Sequence, residues 1–216
     1  MPNSIPIPET LVTLSDLAAN AVAVLTGTCW SITEAAAHVP ARAGLYAIYG
    51  DEHAHRELGL LDDPGARAAP DLPLYVGKAE VSFVSRDLKD HFAAVPGSEA
   101  RTGGSTIRRS FAALLRDSLN LRGVPRNLAK PTDFPMYSLA GDGDARLTAW
   151  MHERLTLAVW EAPDTMPVPL VDVETELIRH FTPVINIKSN PRKLKRLGVE
   201  RKTMAAEARG WRPPEI

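Results

Sequence analysis

The sequence of 216 residues has one cysteine, few aromatics (6%), no apolar run approaching a membrane span, and a formal net charge of only −1. A single thiol, Cys29, excludes an intrachain disulfide and a cysteine-rich zinc site, so the expected compartment is a reducing cytoplasm. Cys29 itself reads as a small buried residue. No transmembrane helix is expected, and the opening MPNSIPIPET lacks both the basic start and the apolar stretch of a signal peptide.

The small net charge argues, as a total, against an obvious nucleic-acid binder. It is nevertheless a cancellation. Residues 1–71 hold nine acids and three bases, residues 86–130 nine bases and four acids, and residues 188–216 nine bases and three acids. Two basic stretches therefore remain available to a polyanion. Hydrophobic residues at 44% and charged residues at 24% are ordinary globular proportions, and the length suits one domain with extensions.

Apolar spacing predicts an amphipathic helix over residues 10–25, with Thr10 or Thr13 as its cap, and Ser31-Ile-Thr-Glu34 has the form of a capping box. Residues 43–50 (AGLYAIYG) read as a buried strand, and a polar loop from Asp51 to Pro73 leads to a second strand at Leu74–Gly77. No full crossover helix is visible between them, which favours an antiparallel pair. Helices are expected over 82–92, from Ser105 or Thr106 to about Leu119, over 145–154 and over 170–181, with a third strand at Leu155–Trp160. An irregular, proline-marked connection precedes residue 145, and a charged tail follows Asn186.

Ser105, Thr106, Arg108 and Arg109 gather two hydroxyls and two guanidiniums at a predicted helix N-terminus, where free N–H groups favour an anion such as phosphate. The same run also suits a solvated, arginine-rich helix face. His53 and His55 lie in an acidic loop with no third ligand. Gly141-Asp-Gly-Asp144 lacks the later glutamate of a calcium loop and reads as a turn.

The order Gly44-Leu-Tyr46, Tyr75-Val-Gly77-Lys78, then an Arg and a His in the next helix, then Glu174 and Pro-x-x-Asn186, resembles the GIY-YIG nuclease superfamily. The resemblance spans roughly residues 43–190, and the long insertions are similar to those of its restriction-endonuclease branch. It implies an α/β fold of the α+β type: a small three-stranded antiparallel sheet flanked by helices, with an N-terminal helical extension and helical insertions. The corresponding division is a helical extension over 1–39, a nuclease-like domain over 40–190 and a basic tail over 191–216.

The resemblance also implies the chemistry, which is metal-dependent hydrolysis of phosphodiester bonds in DNA. Tyr46 would activate the attacking water, and since a free phenol has a pKa of about 10, nearby cationic charge such as Lys78 is required. Tyr75 would hydrogen-bond beside it. Arg86 would stabilise the transition state and His91 would join the site. Glu174 would hold one Mg²⁺ or Mn²⁺; Glu176 competes for that role, but Glu174 better fits the family spacing. Asn186 would fix the loop after that helix. Ser105, Thr106, Arg108, Arg109, Lys188, Arg192 and Lys193 would contact nucleic acid, double-stranded DNA rather than RNA. A homodimer is implied, because one small site cuts one strand and a duplex break needs two. The rival reading is a catalytically impaired binding module on the same fold.

One departure bears on that rival. Family members place the Arg and His four apart on one helical face, whereas Arg86 and His91 are five apart, a rotation of about 500° on an ideal α-helix and some 140° out of alignment. Either an irregular helix realigns them or a role has moved to Arg108 or Arg109.

Overall fold

The computed structural model describes residues 12–66, 69–94 and 101–212, apart from the side chains of Arg86, Asp87 and Pro131. In chain order its main elements are α1 (Leu14–Leu25), β1 (Trp30–Ser31), α2 (Ile32–His38), β2 (Gly44–Gly50), α3 (Glu52–Glu57) and β3 (Tyr75–Ala79). A π-helix (Val84–His91) follows, then α4 (Thr106–Leu114), β4 (Gly123–Val124), a 3₁₀ turn (Pro131–Met136), β5 (Ser138–Leu139), α5 (Gly143–Arg154), β6 (Leu155–Glu161), α6 (Leu170–Phe181) and α7 (Lys195–Gly210).

The mixed α+β architecture rests on an antiparallel sheet in the order β1-β6-β2-β3, with β4 and β5 forming a separate two-stranded ladder. Every residue of β2 is buried, as expected of a central strand covered on both faces. Leu45, Ala47 and Tyr49 face one core with Leu17, Ala21 and Leu25 of α1 and Val173, Leu177 and Phe181 of α6. Tyr46 and Ile48 face a second core built with α2, α4, α5 and α7. The period-two alternation of a strand thus assigns the tyrosine of the first motif to a different core from its neighbours.

Local chemistry sets the ends of these elements. Thr13 caps α1 and Ser31 caps α2, each in a capping box with Asp16 or Glu34. The Trp160 indole donates to Asn20 Oδ1 at 2.8 Å and the Tyr49 hydroxyl to the Leu25 carbonyl at 2.8 Å, which fastens α1 to the sheet.

The structure differs from the sequence reading in five places. The sheet has a fourth strand, β1, whose two residues are too short to show a period. The proline-marked connection contains the β4–β5 ladder. The loop after β2 begins with a short helix, α3, capped by Asp51, whose Oδ1 accepts from the Ala54 N–H at 2.6 Å. Cys29 is exposed rather than buried. Most of the charged tail is α7, docked through buried Leu197, Met204 and Ala208. Among the described residues no helix is long and apolar enough to cross a membrane.

Candidate active site

The strand register brings the two tripeptides together. Tyr46 lies opposite Gly77, and Tyr75 lies two residues along β3 on the same face, so their rings sit 6.0 Å apart. A Cβ on Gly77 would lie 2.6 Å from Tyr46 Cζ and Oη and 2.7 Å from the Tyr75 ring. Glycine is required there because two aromatic rings pass over its Cα. Gly44 meets a similar limit, since a Cβ there would fall 2.1 Å from the Trp160 carbonyl oxygen and 2.5 Å from the Phe83 ring.

The Arg-to-His helix is a π-helix. Its backbone hydrogen bonds join residues five apart, so Arg86 and His91 stand one turn apart, and the misalignment expected of an α-helix disappears. The buried side chains follow the wider turn: Phe83 and Leu88 are five apart, and Leu88 and Phe92 four. The Phe83 N–H donates to the Arg42 carbonyl at 3.0 Å and ties this segment to the start of β2. The Arg86 side chain lies outside the described residues.

His91 is buried and engaged at both ring nitrogens. Nε2 is 3.2 Å from the Tyr46 hydroxyl, and Nδ1 is 2.8 Å from Ser105 Oγ. Ser105 Oγ also accepts from the Arg108 N–H at 3.2 Å, so one hydroxyl both caps α4 and fixes the imidazole. Sequence spacing alone did not connect Ser105 with His91.

This arrangement corrects the expected anion cradle at the start of α4. Arg108 is fully buried; Nη1 donates to the His91 carbonyl at 2.9 Å, and Nη2 donates to the carbonyl and Oδ1 of Asp144 at 3.0 and 3.1 Å. Burial pushes the Arg108 guanidinium below its ordinary pKa, with Asp144 acting in the opposite direction. Arg109 is buried as well, donating to the Gly103 carbonyl and to Thr106 Oγ1. The acceptors expected from a phosphate are protein groups here. Thr106 stays exposed, as do Lys188, Arg192 and Lys193.

A cavity of about 470 Å³ opens at the β3 edge, lined among others by Tyr46, Tyr75, Lys78, Asp90 and Glu174. Lys78 pairs with Glu80, which lines the same cavity. Glu174 is half-buried on α6, whereas Glu176 pairs with Arg179 at 2.7 Å and does not line the cavity. Asn186 is bonded to the backbone of β3: Oδ1 accepts from the Val76 N–H and Nδ2 donates to the Val76 carbonyl, both at 2.8 Å. Its amide serves as a rung on the open edge of the sheet.

Among the described residues no group of three or more His, Cys, Asp or Glu side chains forms a metal cage. The donors on the cavity wall are hard oxygens, and both nitrogens of His91 are occupied. That set fits a Mg²⁺-like ion, which keeps several waters and takes one or two carboxylates, with Glu174 the residue that would hold it.

A family model described as the GIY-YIG catalytic domain matches residues 71–204, more than half of the chain. The chain belongs to the GIY-YIG family. No curated protein and no solved structure matches it. The matched GIY-YIG span includes β3, the π-helix, α6 and most of α7, while β2 with Tyr46 precedes it and joins the site through the register with β3. A nuclease-type fold and a nucleic-acid substrate follow from this membership.

Proposed function

We propose that the protein is a metal-dependent endonuclease that hydrolyses phosphodiester bonds in DNA, acting in the cytoplasm as a member of the restriction-like branch of the family. The observation that carries this reading is the Tyr46–His91 hydrogen bond, set in a cavity that Tyr75, Lys78 and Glu174 also line.

The hydrogen bond offers a route for the proton. With Nδ1–H donating to Ser105 Oγ, His91 Nε2 accepts from the Tyr46 hydroxyl. Tyr46 then takes a proton from the attacking water as it passes its own to His91, so no free phenolate has to form at neutral pH. A histidine, with an ordinary pKa of about 6.5, is the better store for that proton. The resulting imidazolium keeps both N–H groups partnered. The water oxygen bonds to phosphorus as the opposite P–O bond breaks in line; the leaving oxygen departs as an alkoxide that takes a proton from solvent water, and the His91 imidazolium returns its proton to solvent to reset the site. Arg86, one π-turn before His91, is assigned to the charge that builds on the phosphate, and Lys78 adds positive charge at the cavity wall. Glu174 would hold one Mg²⁺ or Mn²⁺, which when bound neutralises phosphate charge and stabilises the leaving oxygen. Asn186 keeps β3 in register beneath Tyr75.

Duplex DNA is preferred over single-stranded RNA because, among the described residues, none of the strongly exposed large apolar side chains is aromatic, which leaves no stacking platform for splayed bases. The test is incubation of the purified protein with supercoiled plasmid and Mg²⁺ or Mn²⁺. Wild type should cut, while Tyr46→Phe and Glu174→Ala should each lose on the order of 10²–10⁴-fold in rate. An intact plasmid across both metals and varied sequences would favour the binding-module reading, and normal cutting by Glu174→Ala would remove the metal assignment.

A further inference from the structure

Beyond the cavity, α4, α7 and the 3₁₀ turn at Pro131–Met136 gather several guanidiniums, of which Arg126 pairs with Asp133 of that turn at 3.3 Å. Arg109 is buried and Arg201 half-buried, and neither forms an ion pair with a carboxylate among the described residues. Their acceptors are neutral. Arg109 uses Gly103 O and Thr106 Oγ1, and Arg201 Nη1 donates to Ser110 Oγ at 3.1 Å. The Nε of Arg109 is buried with no acceptor among the described residues.

The cost is visible in their proton affinity. Burial, and then the charge of Arg201, lower Arg109 to about 10, with Arg126 adding to the effect. Burial likewise lowers Arg201, with Tyr137 and Tyr75 acting in the opposite direction. Glu207 on α7 is already engaged by Arg116 Nη1 and the Gly123 N–H, both at 3.0 Å. Uncompensated buried charge is strongly destabilising, so neighbouring guanidiniums without carboxylates call for an external anion.

The surface above them is shaped to admit one. A cavity of about 410 Å³ is lined by Pro135, Arg201, Lys202, Ala205, Ala206 and Arg209. Lys202 and Arg209 are exposed, also without a carboxylate partner among the described residues, and seven residues apart on one face of α7. Ala205 and Ala206 lie between them and leave the helix surface low. The field of Arg201 reaches Tyr75, a residue of the catalytic cavity.

We infer that Arg201, Lys202 and Arg209 form a docking site for a backbone phosphate of the nucleic acid, beside the cavity in which the chain is cut. This inference rests on the nuclease-type reading for its choice of nucleic acid over free phosphate, and it adds α7 to the interface. The buried Arg109 and the half-buried Arg201 supply the fixed field, and Lys202 and Arg209 close on the phosphate oxygens.

The test uses full-length protein carrying Tyr46→Phe, so that binding is measured without cutting. Fluorescence anisotropy with a labelled duplex is followed across salt concentrations for that background, for added Arg201→Gln, and for added Lys202→Gln with Arg209→Gln. The last pair is exposed and leaves the fold intact. Binding on the order of tenfold weaker at low salt is expected for each, with the slope of log affinity against log salt falling by about 0.9 for each phosphate that is no longer neutralised. Unchanged affinity and slope in the Lys202/Arg209 variant overturn the inference. Stabilisation of wild type by inorganic phosphate, absent in Arg201→Gln and accompanied by unaltered duplex binding, also overturns it and identifies a free-phosphate site. Wild type that binds duplex through these residues but never cuts refutes the nuclease reading and leaves the site standing, whereas cutting by wild type together with unaltered duplex binding by the Arg201 and Lys202/Arg209 variants does the reverse.

Discussion

At the scale of single residues, Gly77 holds the site open. Any side chain there would strike the rings of Tyr46 and Tyr75 at about the length of a hydrogen bond, and the buried Tyr46 ring cannot give way without breaking its 3.2 Å hydrogen bond with His91. Gly77→Ala should therefore cost about 1–3 kcal/mol of stability through overpacking. Its rate of cutting should fall on the order of 10²-fold, the penalty of displacing a reacting group by about 1 Å. Urea unfolding and single-turnover cleavage separate the two effects; a folded variant that cuts at the wild-type rate would show that Tyr46 need not occupy its present position. The two glycine-tyrosine tripeptides were legible in the sequence as a pattern, but the steric reason for the glycines was not, because it depends on which residue lies across the ladder. Arg108 illustrates the opposite case. Its helix-capping neighbour Ser105 was correctly placed, yet its own role is set by Asp144, 36 residues downstream, and a pairing at that distance leaves no local trace.

At the scale of elements, the π-helix accounts for the one feature of the sequence that conflicted with its family. An extra residue in the turn widens it, so that a five-residue interval does what a four-residue interval does in an α-helix. Removing exposed Lys89 should let the segment relax to an α-helix with the Arg and His four apart, and cutting should persist within about tenfold of wild type. Inserting an alanine after Lys89 should instead turn the imidazole away from Tyr46 and cost on the order of 10²-fold. Equal loss of activity in both variants would mean that the wide turn itself, rather than the alignment it restores, is what the site needs. Amphipathic spacing announced this segment, α1, α4 and α6, since each carries a clear apolar face. It could not announce a wide turn, because buried positions five and four apart fit an imperfect α-helix almost as well. The same limit applies to α7, whose dense charge masked three buried positions, and to β1, which has too few residues to express any period.

At the scale of the whole molecule, the distribution of charge and the Tyr46 cavity bear on how a duplex would be cut. The acidic first third is shared between the two cores, α1 covering the sheet face away from Tyr46 and α2 and α3 packing in the core to which the basic stretches supply α4 and α7. A near-zero net charge thus coexists with exposed bases at Lys188, Arg192, Lys193, Lys202 and Arg209, and if these meet DNA the attraction should weaken steeply as salt rises. Each chain carries one Tyr46–His91 pair, so on the proposed reading one chain would cut one strand. If two chains must meet on the duplex, nicked plasmid should appear first, at a rate proportional to protein concentration. Linear plasmid should follow with a dependence nearer the square of that concentration, until the protein is dimeric before it binds. Sedimentation of the protein with and without a duplex, over the same range, fixes which regime applies. Linear product formed without a nicked intermediate, at concentrations where sedimentation finds only monomer on the DNA, would require one cavity to serve both strands in turn and would remove the need for a symmetric partner.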